Sequence, residues 1–227
     1  MRIAELSVFH VRIRLKKPIR HASHSRTDTD SLIVRCRLDE GSEGFGEGLP
    51  RDYVTGETIE DALVQVRDTN WKSQLGGSFS GLSEAIVLCD QIALVRPEGA
   101  RDSFGNSLRC AVELSVLDAV ARAEGVPLSH VTALVPEALA IAKPSEQVRY
   151  SGAITTSKPL GQFMKAWKMK LFGFHQVKVK VGAADIDDVV ALRRIRGILG
   201  PNVDLRLDAN EAWTCETLEA QLAPLLP

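Results

Sequence analysis

Hydrophobic and polar residues alternate strictly in two stretches near the start of the chain. Val11, Ile13 and Leu15 interleave with Arg12, Arg14 and Lys16, and Leu32, Val34, Cys36 and Leu38 with residues that include Arg35 and Arg37. A period of two puts one set on each face of a strand, so both stretches predict half-buried β-strands. Asp39-Glu40-Gly41 is a turn signal leading into Gly44-Phe45-Gly46-Glu47-Gly48, a short glycine-punctuated strand. Between the first two strands, Lys16 to Asp30 reads as a polar loop rich in His, Ser, Arg and Thr. It is too long for a plain hairpin, and loops of that length often carry function.

The period then becomes that of a helix. Ile59, Ala62, Leu63 and Val66 fall at i, i+3, i+4 and i+7, with Thr58 and Asp61 placed for a capping box. Leu82, Ala85, Ile86 and Cys89 repeat the pattern after Ser80. Leu108, Ala111, Val112, Ser115 and Ala119 continue it after Asn106, and Gly125 with Pro127 stops it. Strands followed by helices predict an α+β unit over residues 1–130. Pro136, Lys143, Pro144 and Ser145 mark a linker at 131–149. From there the pattern is βαβαβ, with strands at Tyr150–Thr155, His175–Val181 and Val203–Asp208. Helices are expected at Pro159–Phe172, Asp185–Leu199 and Thr214–Leu226. That alternation predicts a parallel sheet with right-handed crossovers over residues 150–227.

Composition narrows the function classes. With 44% hydrophobic and 25% charged residues, 227 residues suffice for a globular core. The 28 Lys+Arg against 29 Asp+Glu leave a formal charge of -1, which offers no broad field to nucleic acid. Charges interrupt every apolar run before the roughly 18 residues of a membrane-spanning helix. Arg2, Glu5 and Arg12 break up any secretory leader, so a cytoplasmic protein without a membrane segment is expected. Cys36, Cys89, Cys110 and Cys215 lack C-x-x-C spacing and read as buried free thiols rather than a zinc site. The basic cluster from Arg12 to Arg20 reads as a solvated strand face. Gly44-x-Gly46-x-Gly48 has the wrong spacing for a dinucleotide loop and opens no helix, so a turn is the simpler reading. Trp167, Trp213 and Phe172 are expected in a core.

Candidate chemistry lies in the second half. In Val177-Lys178-Val179-Lys180-Val181, the two lysines share one strand face and the three valines the other. Both faces of a parallel sheet are covered, so the lysines would enter an enclosed side, unless the strand is an edge with solvated lysines. Burying ammonium groups is costly unless they are paired. Two adjacent cations favour the neutral form of one of them, a usable base near neutral pH. One βα step later, Arg206, Asp208 and Asn210 share the face opposite Leu205 and Leu207. Asp208 and Asn210 thus close a parallel strand at its C-terminal end, where α/β proteins place ligands. A carboxylate there can hold a hard cation such as Mg²⁺, or cap the helix that starts near Thr214.

The ordered set Gly44-Phe45-Gly46-Glu47, Gly125-Val126-Pro127-Leu128, Lys178-Val179-Lys180 and Asp208-Ala209-Asn210 resembles the enolase superfamily. Within it, the pattern is similar to the muconate-lactonizing-enzyme subgroup (the mandelate racemase/muconate lactonizing enzyme family), marked by Lys-x-Lys on the second barrel strand. The resemblance implies an α+β capping domain, an antiparallel meander plus helices, followed by the first part of a (β/α) TIM-type barrel of about three strands. It implies Lys180 as catalytic base and Lys178 as the neighbour that makes it a weaker proton holder. It implies Asp208 as the first of three Mg²⁺ carboxylates, with Asn210 the polar residue beside it. His21, His24 and Arg26, and Tyr53 in Arg51-Asp52-Tyr53, would lie on capping loops over a small-molecule carboxylate substrate. The implied reactions begin with abstraction of a proton α to a carboxylate, with Mg²⁺ stabilising the enediolate. They include cycloisomerisation, racemisation or epimerisation, and dehydration to o-succinylbenzoate, in proteins that often form homo-oligomers. A complete (β/α)₈ barrel takes roughly 250 residues, of which 150–227 is about a third. The later metal ligands and the opposing lysine are missing, so the expectation is a truncated fragment, inactive alone. The alternative is a non-catalytic remnant that serves as an oligomerisation or binding module.

Overall fold

A computed structural model describes residues 1–20, 25–140, 145–155, 158–183, 186–210 and 212–225. They form two compact units, residues 1–19 with 26–144 and residues 20–25 with 145–227.

In the first unit, β1 (Ile3–Arg20), β2 (Ser25–Leu38) and β3 (Glu43–Gly48) form a sheet in that order. β2 and β3 run antiparallel, from Leu32 opposite Gly48 to Arg37 opposite Glu43. The expected loop from Lys16 to Asp30 is mostly strand, because β1 continues to Arg20 and β2 already begins at Ser25. Where a two-stranded ribbon extends beyond the core, neither face is buried. Its sequence then shows no alternation, although its backbone groups still pair. A cross-strand contact of 2.6 Å between His10 Nε2 and Asp30 Oδ1 belongs to this stretch.

Leu32, Val34, Cys36 and Leu38 are fully buried on the inner face, as their alternation predicts. Three helices match the expected periods: α1 (Ile59–Asp68), α3 (Leu82–Asp90) and α4 (Asn106–Glu124), while α2 (Trp71–Leu75) carried no pattern. Thr58 and Asp61 form the expected capping box, with Thr58 Oγ1 accepting from Asp61 N at 3.1 Å and Asp61 Oδ2 from Thr58 N at 2.9 Å. α4 ends where Gly125 takes φ 69°, and Val126 N donates to Ala121 O at 2.9 Å.

The glycines of β3 are explained by α4. A Cβ on Gly44, Gly46 or Gly48 would lie 2.1, 2.0 and 2.0 Å from Ala119 N, Ala111 O and Ser107 O respectively. The helix backbone therefore lies directly on the strand, which only glycine allows. The motif is a packing seam within a strand and not a turn.

Both α3 and α4 begin at a glycine, Gly81 and Gly105, that has no side chain to cap the helix. Distant glutamates do so instead. Glu124 Oε1 accepts from Leu82 N at 3.0 Å. Glu57, fully buried, accepts from Gly105 N at 2.7 Å, from Ser107 N at 3.0 Å and from the Ser107 hydroxyl. A carboxylate at a helix N-terminus meets free N–H groups and the positive end of the dipole. Val131 and Leu134 of α5 (Val131–Leu134), within the stretch read as linker, pack against this first core.

The second unit is a parallel sheet, β4 (Gly152–Ile154), β5 (Gln176–Lys180) and β6 (Asp204–Asp208), in that order. The crossovers are α6 (Pro159–Leu171) and α7 (Asp188–Leu199), and Ile154, Ala166, Val177, Val179, Ile195 and Leu199 form the core. The last helix is shorter than expected, because Thr217 Oγ1 accepts from Thr214 N at 2.9 Å and holds a turn ahead of α8 (Leu218–Leu222). Trp167 and Phe172 are not core residues, being 40% and 78% exposed, because α6 turns Ala166 to the core and Trp167 outward. The four thiols are free, but only Cys36 and Cys89 are buried, while Cys110 and Cys215 are exposed. Burial pushes the Cys36 and Cys89 thiols up to about 12, which leaves them unreactive near neutral pH. Among the described residues no helix is long and apolar enough to cross a membrane.

Candidate active site at the ends of the parallel strands

β5 presents Val177, Val179 and, just beyond the strand, Val181 to the packed side, each no more than 6% exposed. The pleat turns Lys178 and Lys180 to the other face. That face is only partly closed, since the Lys178 side chain is 43% exposed, so the lysines are half-buried rather than enclosed. β6 lies beside β5 with Lys178 opposite Arg206 and Lys180 opposite Asp208. The ladder continues one step past β5, where Val181 N donates to Asp208 O at 3.1 Å.

The side chains converge on Asp208. Lys178 Nζ lies 2.9 Å from Asp208 Oδ2. Asn210 takes φ 45°, a left-handed conformation that a short amide side chain tolerates. Its backbone N donates to Asp208 Oδ1 at 3.2 Å. With its amide oriented to satisfy both neighbours, Asn210 also donates to Asp208 Oδ1 at 3.0 Å and accepts from Lys180 Nζ. The carboxyl of Asp208 is held below its usual range, chiefly by the hydrogen bond from Lys178. Partial burial opposes this, while the charge of Lys178, the Asn210 N–H and the charge of Lys180 assist. Asp208 therefore does not cap the following helix; its partners lie within this cluster.

One contributor escaped the sequence reading. Asp188, in the first turn of α7, accepts from Gly182 N at 2.7 Å and ties down the turn that follows the lysine strand. The signal was present as paired aspartates at a helix start, but Asp187 satisfies the ordinary cap, accepting from Val190 N at 3.0 Å. Nothing local assigned the second. Lys178, Lys180, Asp208 and Asn210 are thus brought together. Arg26 and Tyr53 sit in the first unit on separate elements, Arg26 near the start of β2 and Tyr53 in the turn where Thr55 N donates to Arg51 O at 2.8 Å. His21 and His24 lie outside the described residues.

Two ammonium groups, one carboxylate and one carboxamide at the strand ends can bind an anionic group and move a proton. They do not make a Mg²⁺ site unaided. That ion takes about six oxygen ligands in octahedral geometry. The one carboxylate of the cluster is already ion-paired with Lys178. Among the described residues, no group of three or more His, Cys, Asp or Glu side chains is arranged to hold a metal.

Comparison with known proteins identifies the family. The sequence profile of the mandelate racemase / muconate lactonizing enzyme N-terminal domain matches residues 3–132. The D-Ala-D/L-Ala epimerase of Cytophaga hutchinsonii is 27% identical over 228 residues, covering 100% of this chain and 57% of that protein. The L-Ala-D/L-Glu epimerase of Bacillus subtilis is 28% identical over 215 residues, covering 94% of this chain and 54% of that one. A solved structure of the Methylococcus capsulatus dipeptide epimerase, complexed with Mg and the dipeptide L-Arg-D-Lys, matches with a TM-score of 0.75 at 26% identity. It covers 99% of this chain and 57% of that one. The chain thus spans somewhat over half the length of these relatives. With its N-terminal unit matched by the family profile and its whole length by these relatives, the chain belongs to the mandelate racemase / muconate lactonizing enzyme family of the enolase superfamily.

Proposed function

We propose that this chain is the part of an isomerase that carries one catalytic base, acting on a proton α to a carboxylate, and that its substrate is a small dipeptide. The observation that carries the reading is the convergence of Lys178, Lys180, Asp208 and Asn210 at the C-terminal ends of β5 and β6. Lys180 would take the α-proton, held in line by the Asn210 amide. Lys178 raises the local positive charge and would attract the substrate carboxylate. Asp208 would be one oxygen ligand of a Mg²⁺ whose other ligands these residues do not supply. The dipeptide class comes from the relatives named above, two epimerases of Ala-containing dipeptides and one solved with L-Arg-D-Lys. We assign Arg26 and Tyr53, together with His21 and His24, as substrate-covering residues.

The test is exchange of the substrate α-proton in D₂O, followed by NMR with L-Ala-L-Glu and related dipeptides. It uses the protein expressed from its own gene. Lys180→Ala should reduce exchange by about 10²–10⁴-fold, the usual contribution of a positioned base. Exchange at the wild-type rate in Lys180→Ala would remove Lys180 from that role. Absence of exchange with every dipeptide, but turnover of another carboxylate, would overturn the substrate class alone.

A further inference from the structure

The outward face of α6 is apolar and exposed. Leu160, Phe163, Met164, Trp167, Leu171 and the adjoining Phe172 range from 40% to 79% exposed. The first five fall at i, i+3, i+4, i+7 and i+11, a single stripe on a helix. It lies opposite the face that α6 packs, where Gln162 and Ala166 are buried and Met169 joins the second core. Single exposed apolar residues need no explanation, but a contiguous stripe of this size marks a contact surface. Lys168 and Lys170 flank the stripe on its two sides, and Lys170 Nζ sits 5.3 Å from the centre of the Trp167 ring. Acidic side chains are absent from the sequence between Glu146 and Asp185. The surface is therefore apolar with a cationic rim.

The same chain carries a surface of the complementary kind. In the first unit, a groove of about 580 Å³ runs between α3, α4 and α5. Its apolar lining includes Val87, which is 58% exposed, with Leu117, Val131 and Leu134. Asp90 and Glu137 stand at its edge. The one cation of the lining, Arg109, is shared between Glu113, its i,i+4 partner, and Asp90, whose Oδ1 lies 3.6 Å away, so the three carboxylates of the lining outnumber it.

We propose that the α6 stripe of one chain docks in the α3–α4–α5 groove of a second copy, with Lys168 and Lys170 against Asp90 and Glu137. Self-pairing of α6 with α6 would set lysines against lysines, which opposes association. Pairing stripe with groove joins apolar to apolar and cation to anion, the complementarity that fixes register at an interface. The contact is independent of the enzymatic reading, since it uses none of the strand-end residues.

The experiment is light scattering after size exclusion on the 227-residue chain. At ~100 µM, far above a micromolar dissociation constant, a species larger than the monomer is expected. Raising NaCl from ~0.05 to ~0.5 M, which shortens the screening length about threefold, should weaken it. Lys168→Glu and Glu137→Lys are both substitutions at exposed positions. Each alone should weaken association about tenfold or more, and an equimolar mixture of the two should recover it, because the swapped charges meet across one contact. Leu171→Glu should abolish it. A monomer at every concentration would overturn the proposal. So would an oligomer indifferent to Lys168→Glu and Leu171→Glu, or failure of the mixture to recover association. A monomer that instead binds phosphatidylserine vesicles through Leu171 would assign the stripe to an anionic lipid surface and overturn the self-docking.

Discussion

Gly46→Ala tests the seam between β3 and α4. The added methyl would stand 2.0 Å from Ala111 O, 2.7 Å from Ser115 N and 2.9 Å from Leu114 Cβ. Comfortable contact needs about 3.5 Å, so α4 would have to retreat by more than ~1 Å. The contacting atoms are mostly backbone and cannot rotate aside. The helix that must move carries Leu108, Ala111, Val112, Val116, Ala119 and Val120, none more than 1% exposed, so its retreat loosens the whole first core. Overpacking costs about 1–3 kcal/mol where side chains can give way, and this site belongs at or above the upper end. With a urea m-value of about 2 kcal/mol/M, a loss of about 3 kcal/mol lowers the unfolding midpoint by about 1.5 M. Gly77→Ala is the control, because a Cβ there meets nothing within 4 Å. It should leave the midpoint unchanged or raise it slightly through the unfolded state. Urea titrations followed by far-UV circular dichroism compare the two. If Gly46→Ala shifted the midpoint no more than Gly77→Ala, the account of the glycine motif as a helix-packing seam would fail.

Glu57→Gln keeps the size of a fully buried side chain but replaces one acceptor with a donor facing N–H groups of the α4 terminus. It should cost about 2–3 kcal/mol, the range for charged hydrogen bonds, and a thermal melt should show it against exposed Glu60→Gln as neutral control. The carboxyl of Glu5 is lowered from 4.5 to about 2, first by the Ser7 hydroxyl and then by Arg37 and Arg35. A folded value below the unfolded one means its contribution is present above pH 4.5 and is lost as pH falls towards 2. Glu5→Gln should therefore lower stability at neutral pH, flatten the acid limb in that window and leave stability near pH 2 almost untouched. Calorimetric titration of the 227-residue chain with Mg²⁺ should show no tight stoichiometric binding, since Lys178 already holds Asp208. Tight 1:1 binding would contradict the donor count.

Much of the architecture was legible because hydrophobic period is set by local geometry. Alternation located the buried half of β2, and the i, i+3, i+4 spacing located α1, α3 and α4. The βαβ alternation located the parallel sheet. Prediction failed where the period carried no information. The long β1–β2 ribbon is wet on both faces, so Lys16 to Asp30 read as a loop. The outward stripe on α6 has a helical period like any core face, so Trp167 and Phe172 read as buried although they are exposed. A period reveals that one face is apolar; it does not reveal which face meets the sheet.

The site divides in the same way. Residue types and strand parity alone assigned Lys178 and Lys180 to one face and Asp208 and Asn210 to a strand end. What paired with what depended on contacts between segments distant in sequence. Only the tertiary structure decided that Asp208 takes Lys178 as its ion partner and reaches Lys180 through the Asn210 amide. The same holds for Glu57 and Glu124, which cap helices far from them in sequence, and for the β3 glycines, which face the backbone of α4. Pleat and helical pitch act over a few residues and are written in the local order of side chains. Ion pairs, remote caps and close backbone approach act through space, and they exist only once the fold has brought their partners together.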